Sequence, residues 1–319
     1  MRAIVYKGGK VSIRRSQPDP KPDKGELLIE VCQAGICRTD LEIANGYMDF
    51  EGVMGHEFVG HVVGGPRDWR TKRVVAEINC VCEKCEMCRS GMANHCPRRT
   101  VIGISGRDGC FAERITVPIR NCHILPDAVS DEEAVFVEPL AAAYQTIHQV
   151  AIEPRMKVAV LGAGRLGLLM AQVLAGTECQ LEVIGRDPDK LLFCDKKGIR
   201  TTVVRELVPR ADRDVIVECT GSPTGLELAM KLVRPRGTIV LKTTLAKAAP
   251  LNPTPMVINE LTLLGSRCGP FPEAINALAR KQIDVLSMIS KTFPLSKGLE
   301  ALRAAGDTQN IKVLLKARS

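Results

Sequence analysis

Between Gly35 and Gly60 the sequence places a thiol, an imidazole and two carboxylates close together. The two ends of this stretch read Gly35-Ile36-Cys37-Arg38-Thr39-Asp40 and Gly55-His56-Glu57-Phe58-Val59-Gly60. Cys, His and Glu are ligand types that zinc uses in catalytic sites, where three protein ligands leave a position open for water or substrate. An isolated Cys and His would fit a buried thiol and a core histidine better, so the rest of the chain has to decide.

A second set is more conspicuous. Cys82, Cys85, Cys88 and Cys96 have the spacing C-x2-C-x2-C-x7-C. Four thiolates brought together by short loops complete tetrahedral zinc and leave no open position, so such a site is structural. Binding of this type is worth on the order of 10 kcal/mol to the fold it closes. Cys80 and His95 lie beside the set and fit better as neighbours than as ligands.

The third set is Gly162-Ala163-Gly164-Arg165-Leu166-Gly167, which matches G-x-G-x-x-G. It follows the apolar run Val158 to Leu161 and precedes helical spacing from Leu166 to Leu174, the context a dinucleotide fingerprint requires. Such glycines let backbone N–H groups approach a pyrophosphate at a helix N-terminus. The next apolar run ends in Val183-Ile184-Gly185-Arg186-Asp187. Gly185 stands where an NAD site carries an acid for the ribose, and Arg186 follows. Loss of the carboxylate removes repulsion toward a 2′-phosphate, and a guanidinium can pair with it. NADP(H) is therefore expected over NAD, the alternative being that Asp187 turns inward to serve NAD.

The elements that must hold these sets follow from patterning. The runs 2–6, 11–15, 26–34, 58–63, 73–78 and 111–118 read as short strands joined by turns, and up to about residue 125 the chain is mostly β. Ser130-Asp131-Glu132-Glu133 has capping-box spacing and opens a helix over 131–150, interrupted near Pro139. Strands and helices then alternate, which predicts a parallel sheet covered on both faces. Further strands are expected at 215–218, 238–242 and 261–264. Two helical stretches, 273–280 and 297–305, and a closing strand, 312–315, complete the chain.

Composition excludes several classes. The 319 residues are 45% hydrophobic and 25% charged, which is globular and not disordered. No apolar run is long enough to span a bilayer, and the first residues read as a strand and not as a secretory segment. Thirteen cysteines in such a chain point to reduced thiols and metal binding, and a cytoplasmic location is the expectation. The net charge of +8 is scattered, and aromatics are 3%. No nucleic-acid or membrane partner is therefore expected, although a phosphorylated cofactor would suit the charge.

Taken together, these motifs, with Glu138-Pro139-Leu140 and Glu218-Cys219-Thr220-Gly221, resemble the zinc-containing alcohol dehydrogenases of the medium-chain dehydrogenase/reductase superfamily. The chain looks most similar to the branch with threonine, sorbitol and glucose dehydrogenases, in a short alcohol dehydrogenase-like subgroup. The resemblance implies an α/β fold: a GroES-like catalytic zinc-binding β domain over 1–130, a Rossmann NAD(P)-binding domain with a doubly wound parallel sheet over 131–266, and a segment over 267–319 that rejoins the first. It implies an active site in the cleft between them. It implies two zinc ions, one catalytic and one structural, and NADP or NAD as cofactor. Cys37 and His56 match ligands of the catalytic zinc. Glu138 falls where the third ligand is Cys in some members and an acid in others, and Glu57 matches either a ligand or a nearby carboxylate. Asp40 matches a carboxylate that orients the histidine, and Thr39 the hydroxyl that receives the substrate proton. Glu42 stands where the proton relay often ends in a histidine, so it is either the outlet of the relay or plain surface. Arg38 matches a pyrophosphate contact of some members or is a surface charge. Gly162, Gly164, Arg165, Leu166, Gly167, Gly185, Arg186 and Thr220 fall on the cofactor side.

The activity so implied is hydride transfer between a small-molecule alcohol, or its carbonyl, and the nicotinamide, in a homodimer or homotetramer. Two rivals remain at this stage. A zinc-free quinone or enoyl reductase would share the fold without needing Cys37, His56 and Glu138 together, and a zinc-stabilised nucleic-acid-binding protein would have no use for the glycine loop.

Overall fold

Strands form where apolar and polar residues alternate, and the longest of them carries the first set of candidate residues. Strand Glu26–Ile36 buries Leu27, Ile29, Val31 and Gln33 on one face. It is the central member of a seven-stranded sheet, pairing antiparallel with Glu57–Gly64, Arg114–Pro118 and the terminal strand Lys312–Lys316. The computed structural model describes residues 1–244 and 251–317. A smaller sheet joins Ala3–Lys7 to Lys10–Arg14 and Gly52–Val53. The closing strand expected at 312–315 thus joins the sheet formed by the beginning of the chain.

The described chain divides into two compact units, Met1–Glu138 with Phe271–Ser319, and Pro139–Pro270. These divisions lie eight residues beyond 130/131 and four beyond 266/267. The reason at the first is that helix Asp131–Ala134 packs on strands Glu26–Ile36 and Glu57–Gly64 and on helix Phe271–Ala279. Its N-terminus has the capping box read from the sequence. Ser130 Oγ accepts from Glu133 N–H at 3.2 Å, and the Glu133 carboxylate accepts from Ser130 N–H at 2.9 Å. The helical stretch breaks after Ala134 and not at Pro139. Pro139 lies in the first turn of helix Val137–Gln149, where its missing N–H costs nothing.

The second unit holds a six-stranded parallel sheet in the order 200–203, 180–185, 157–161, 213–218, 233–241, 262–265. Counted within the unit this is 3-2-1-4-5-6, the doubly wound order with a switch point beside its first strand, Lys157–Leu161. Its interior strands are continuous apolar runs such as Val158 to Leu161 and Val215 to Val217, as burial on both faces requires. Strand Arg200–Val203 and helices Pro188–Asp195 and Gly225–Leu232 were not singled out by patterning. Among the described residues no helix is long and apolar enough to cross a membrane.

The C-terminal segment is fastened to the first unit by an ion pair, with both oxygens of buried Glu133 lying 2.7 Å from Lys281 Nζ. Burial alone would raise the Glu133 pKa, but Lys281 and the Ser130 donors outweigh it and hold the carboxyl below its usual value. A depressed carboxylate contributes stability above the unfolded pKa and loses it as pH falls through the folded value. Glu133→Gln keeps the capping geometry and removes the charge. It should cost about 1 kcal/mol at pH 7, Lys281 being largely exposed. In melts across pH, the gap between variant and wild type should close below about pH 4.

Candidate active site

Cys37 follows the last residue of strand Glu26–Ile36 and is the N-cap of helix Arg38–Ala44. Its Sγ accepts from Thr39 N–H at 3.2 Å, and Asp40 Oδ2 accepts from Cys37 N–H at 2.8 Å. The spacing Cys37-x-x-Asp40 is therefore a capping arrangement as well as a chemical one. His56 precedes strand Glu57–Gly64, whose Glu57 lies opposite Gly35. That register brings His56 Nε2 to 3.0 Å from Cys37 Sγ. On the other side of the ring, Nδ1 lies 3.3 Å from Asp40 Oδ1, a charge contact without the alignment of a hydrogen bond. Asp40 thus touches both residues, with one oxygen toward each. Burial opposes charge on His56, but Cys37 and Asp40 outweigh it and hold the imidazole pKa well above its usual value. Burial pushes the Cys37 thiol up, against the pull of His56.

The donor set fits a zinc ion. Ligand atoms of Cys37, Asp40 and His56 lie within 4.8 Å of one another. A soft thiolate and an imidazole nitrogen converge, and the far nitrogen faces a carboxylate, which is how a metal-bound histidine is oriented. The buried His56 Nδ1 and Asp40 Oδ1 face each other and have no other partner, which leaves Nε2 and the Cys37 thiol as the pair turned toward a metal. Glu57 and Glu138 stand outside the set. The Glu57 carboxylate is taken by Lys312. Glu138 lies in the first turn of helix Val137–Gln149, and burial, countered by His56, raises its pKa to about 7. Thr39 is half-buried in the first turn of helix Arg38–Ala44. Glu42 receives Arg38 at 2.8 Å along the same helix, so these two side chains hold each other at the surface.

The four-cysteine loop also fits. Sulfur separations are 3.4 Å for Cys85–Cys88, 3.7 Å for Cys85–Cys96 and 3.5 Å for Cys96–Cys82. Tetrahedral ligands at Zn–S bonds of about 2.3 Å are about 3.8 Å apart. Lys84 and Cys85 backbone donors, aided by Arg98 at 3.3 Å, hold the Cys82 thiol down at about 5. Cys80 and His95 stay outside the cluster. His61 contacts Cys32 at 3.1 Å, and His123 accepts or donates to Glu77 at 2.9 Å while stacking on Phe271.

In the second unit, strand Lys157–Leu161 runs into the glycine loop. Gly162 has φ +104°, a conformation other residues rarely adopt, and a Cβ on Gly167 would lie 1.8 Å from Gly162 O. Gly164 caps helix Arg165–Ala175, and Leu166 follows in its first turn. Buried Gly185 ends strand Gln180–Gly185, its Cβ position 3.0 Å from Ala163 Cβ and Leu191. Asp187 is the N-cap of helix Pro188–Asp195, its carboxylate accepting from Asp189 N–H at 3.1 Å. Arg186 is exposed and unpaired among the described residues. Thr220 donates from N–H and hydroxyl to buried Glu218, which shapes the loop after strand Arg213–Glu218. The residue that sequence reasoning missed is Lys312. A lysine opening an apolar strand reads as surface, and nothing in its neighbours marks it as buried.

Comparison with known proteins agrees with this geometry. Residues 23–127 match the alcohol dehydrogenase GroES-like domain, and residues 166–282 the zinc-binding dehydrogenase family. An L-threonine 3-dehydrogenase of Pyrococcus horikoshii is 32% identical over 243 residues, 70% of this chain and 69% of that one. A sorbitol dehydrogenase of Halalkalibacterium halodurans is 28% identical over 324 residues, 94% of each chain. Two solved structures superpose with TM-score 0.88 over 99% of this chain. One is a zinc-binding dehydrogenase of Sinorhizobium meliloti bound to NADP, at 26% identity and 98% of its length, and the other an alcohol dehydrogenase of Escherichia coli CFT073 with NADH, at 27% and 99%. Fold and site together define an oxidoreductase of the NAD(P)-dependent alcohol dehydrogenase class. The chain belongs to the zinc-type alcohol dehydrogenase family of the medium-chain dehydrogenase/reductase superfamily.

Cys85→Ser should leave the Cys37 and His56 geometry intact and lower stability by on the order of 3 kcal/mol. Chelation of the wild type should reproduce the loss in thermal melts.

Proposed function

We propose that this enzyme oxidises a small alcohol or polyol, or reduces the matching carbonyl, with zinc and NADP(H). The observation that carries the reading is the convergence of Cys37 and His56 at 3.0 Å with Asp40 behind the ring. Cys37, His56 and Glu138 would hold the catalytic ion, and the four cysteines a structural one. When bound, zinc supplies Lewis acidity toward the substrate oxygen. Asp40 keeps the imidazole in one orientation, and its second oxygen holds the Cys37 backbone, so both ligands are preorganised by one carboxylate. The Thr39 hydroxyl would accept the alcohol proton while releasing its own, and a nicotinamide held at the glycine loop would supply the hydride acceptor. Glu42, paired with Arg38, would pass that proton to solvent. Relatives named for sorbitol and for D-arabitol phosphate support a polyol class. Strand Thr262–Gly265 is an open sheet edge, which suits a homodimer or homotetramer.

Selectivity for NADP(H) is supported by three neighbours. Gly185 offers no carboxylate, Asp187 is occupied as a helix cap, and Arg186 is left exposed for a 2′-phosphate. A zinc-free reductase is the competing reading, and metal analysis separates the two.

Two zinc ions per chain are expected, falling to one in Cys37→Ser and His56→Ala, which should fold and lose turnover. One zinc in the wild type would overturn the reading. Arg186→Gly should lower kcat/KM for NADPH by about 10- to 100-fold and leave NADH within a few-fold, as loss of one charge-assisted pair predicts.

A further inference from the structure

Glu57 follows His56 directly and is 2% exposed, as is Lys312. Lys312 Nζ contacts Glu57 Oε2 across 255 residues of sequence. Its ammonium also lies 5.4 Å from the ring centroid of buried Phe136. A buried ammonium is costly unless paired, and here a carboxylate and an aromatic face receive it. The pair passes over Gly35. The backbone of Gly35 is not left-handed, so conformation does not demand glycine there. Space does. A Cβ on Gly35 would lie 2.6 Å from Glu57 Oε2 and Val135 Cγ1, and 2.8 Å from Lys312 Cε. The glycine two residues before Cys37 is thus the opening through which the ion pair forms. Glu138, by contrast, has no hydrogen-bond partner among the described residues.

We propose that Lys312 is a positioning residue that sorts two carboxylates. It holds Glu57 off the metal and leaves Glu138 as the acid free to bind it. The inference rests on the metal reading proposed above. Lys312 neutralises Glu57, so that carboxylate does not add to the negative charge that Cys37, Asp40 and Glu138 already bring to the ion. The terminal strand thereby contributes to the site without touching substrate. Gly35 belongs to the same device, because only an absent side chain lets lysine and glutamate meet.

Cobalt(II) in the full chain is the probe, because its visible bands weaken as a four-coordinate site gains a fifth ligand. The four-cysteine site is common to all variants and cancels in differences. Lys312→Arg should keep the wild-type spectrum. Lys312→Met should lose band intensity as Glu57 enters, and E57Q/K312M should regain it. An unchanged K312M spectrum with two metals bound would overturn the inference, as would an altered E57Q/K312M spectrum, which would make Glu57 a ligand from the start. If K312M does not fold, Lys312→Gln takes its place, with band loss in K312Q and its recovery in E57Q/K312Q expected and an unchanged K312Q spectrum overturning the inference. One metal per wild-type chain would overturn the metal reading and this inference with it, a result seen before any variant is made.

Discussion

The pairing of strand Glu26–Ile36 with Glu57–Gly64 and Lys312–Lys316, two of its three antiparallel neighbours, is the constraint on which the rest depends. Gly35 lies opposite Glu57 on one side and Leu314 on the other. That register sets Cys37, just past the end of one strand, against His56, just before the start of the next. A slip of one residue would turn every side chain to the other face and separate thiol from imidazole. The buried face of Leu27, Ile29 and Val31 forbids the slip, so core packing positions the thiol and the imidazole.

Several residues carry two duties because the backbone turns where the chemistry is. Asp40 caps a helix with one oxygen and faces His56 with the other. Cys37 is both cap and candidate ligand. In the second unit, Asp187 caps a helix with one carboxylate oxygen, and Gly185 keeps the glycine loop close to the following helix. In each case the local fold and the function need the same atom in the same place, so substitution would disturb both.

Much of this was legible in the residue string. The four-cysteine spacing, the glycine fingerprint and the Ser130–Glu133 capping box are short-range patterns whose geometry is local, and they stand in the structure as read. The strand runs were legible because burial on one face imposes a period of two. Short elements such as Arg200–Val203 and Gly225–Leu232 escaped, since a few residues hold too little period to read, and the helix break was assigned to Pro139 because proline draws the eye, although a first-turn proline breaks nothing.

The sequence by itself determined the family, the glycine loop between strand and helix, and the order of the two units. Tertiary structure alone decided which partners the carboxylates meet. The letters offer Glu138 at the third-ligand position and leave Glu57 either a ligand or a nearby carboxylate, and Lys312 is one of 44 basic residues. Only strand pairing between the two ends of the chain puts that lysine beside Glu57 and shows why Gly35 has no side chain. The physical reason is distance: contacts across 255 residues leave no periodicity in the sequence, because they are set by which strands share a sheet.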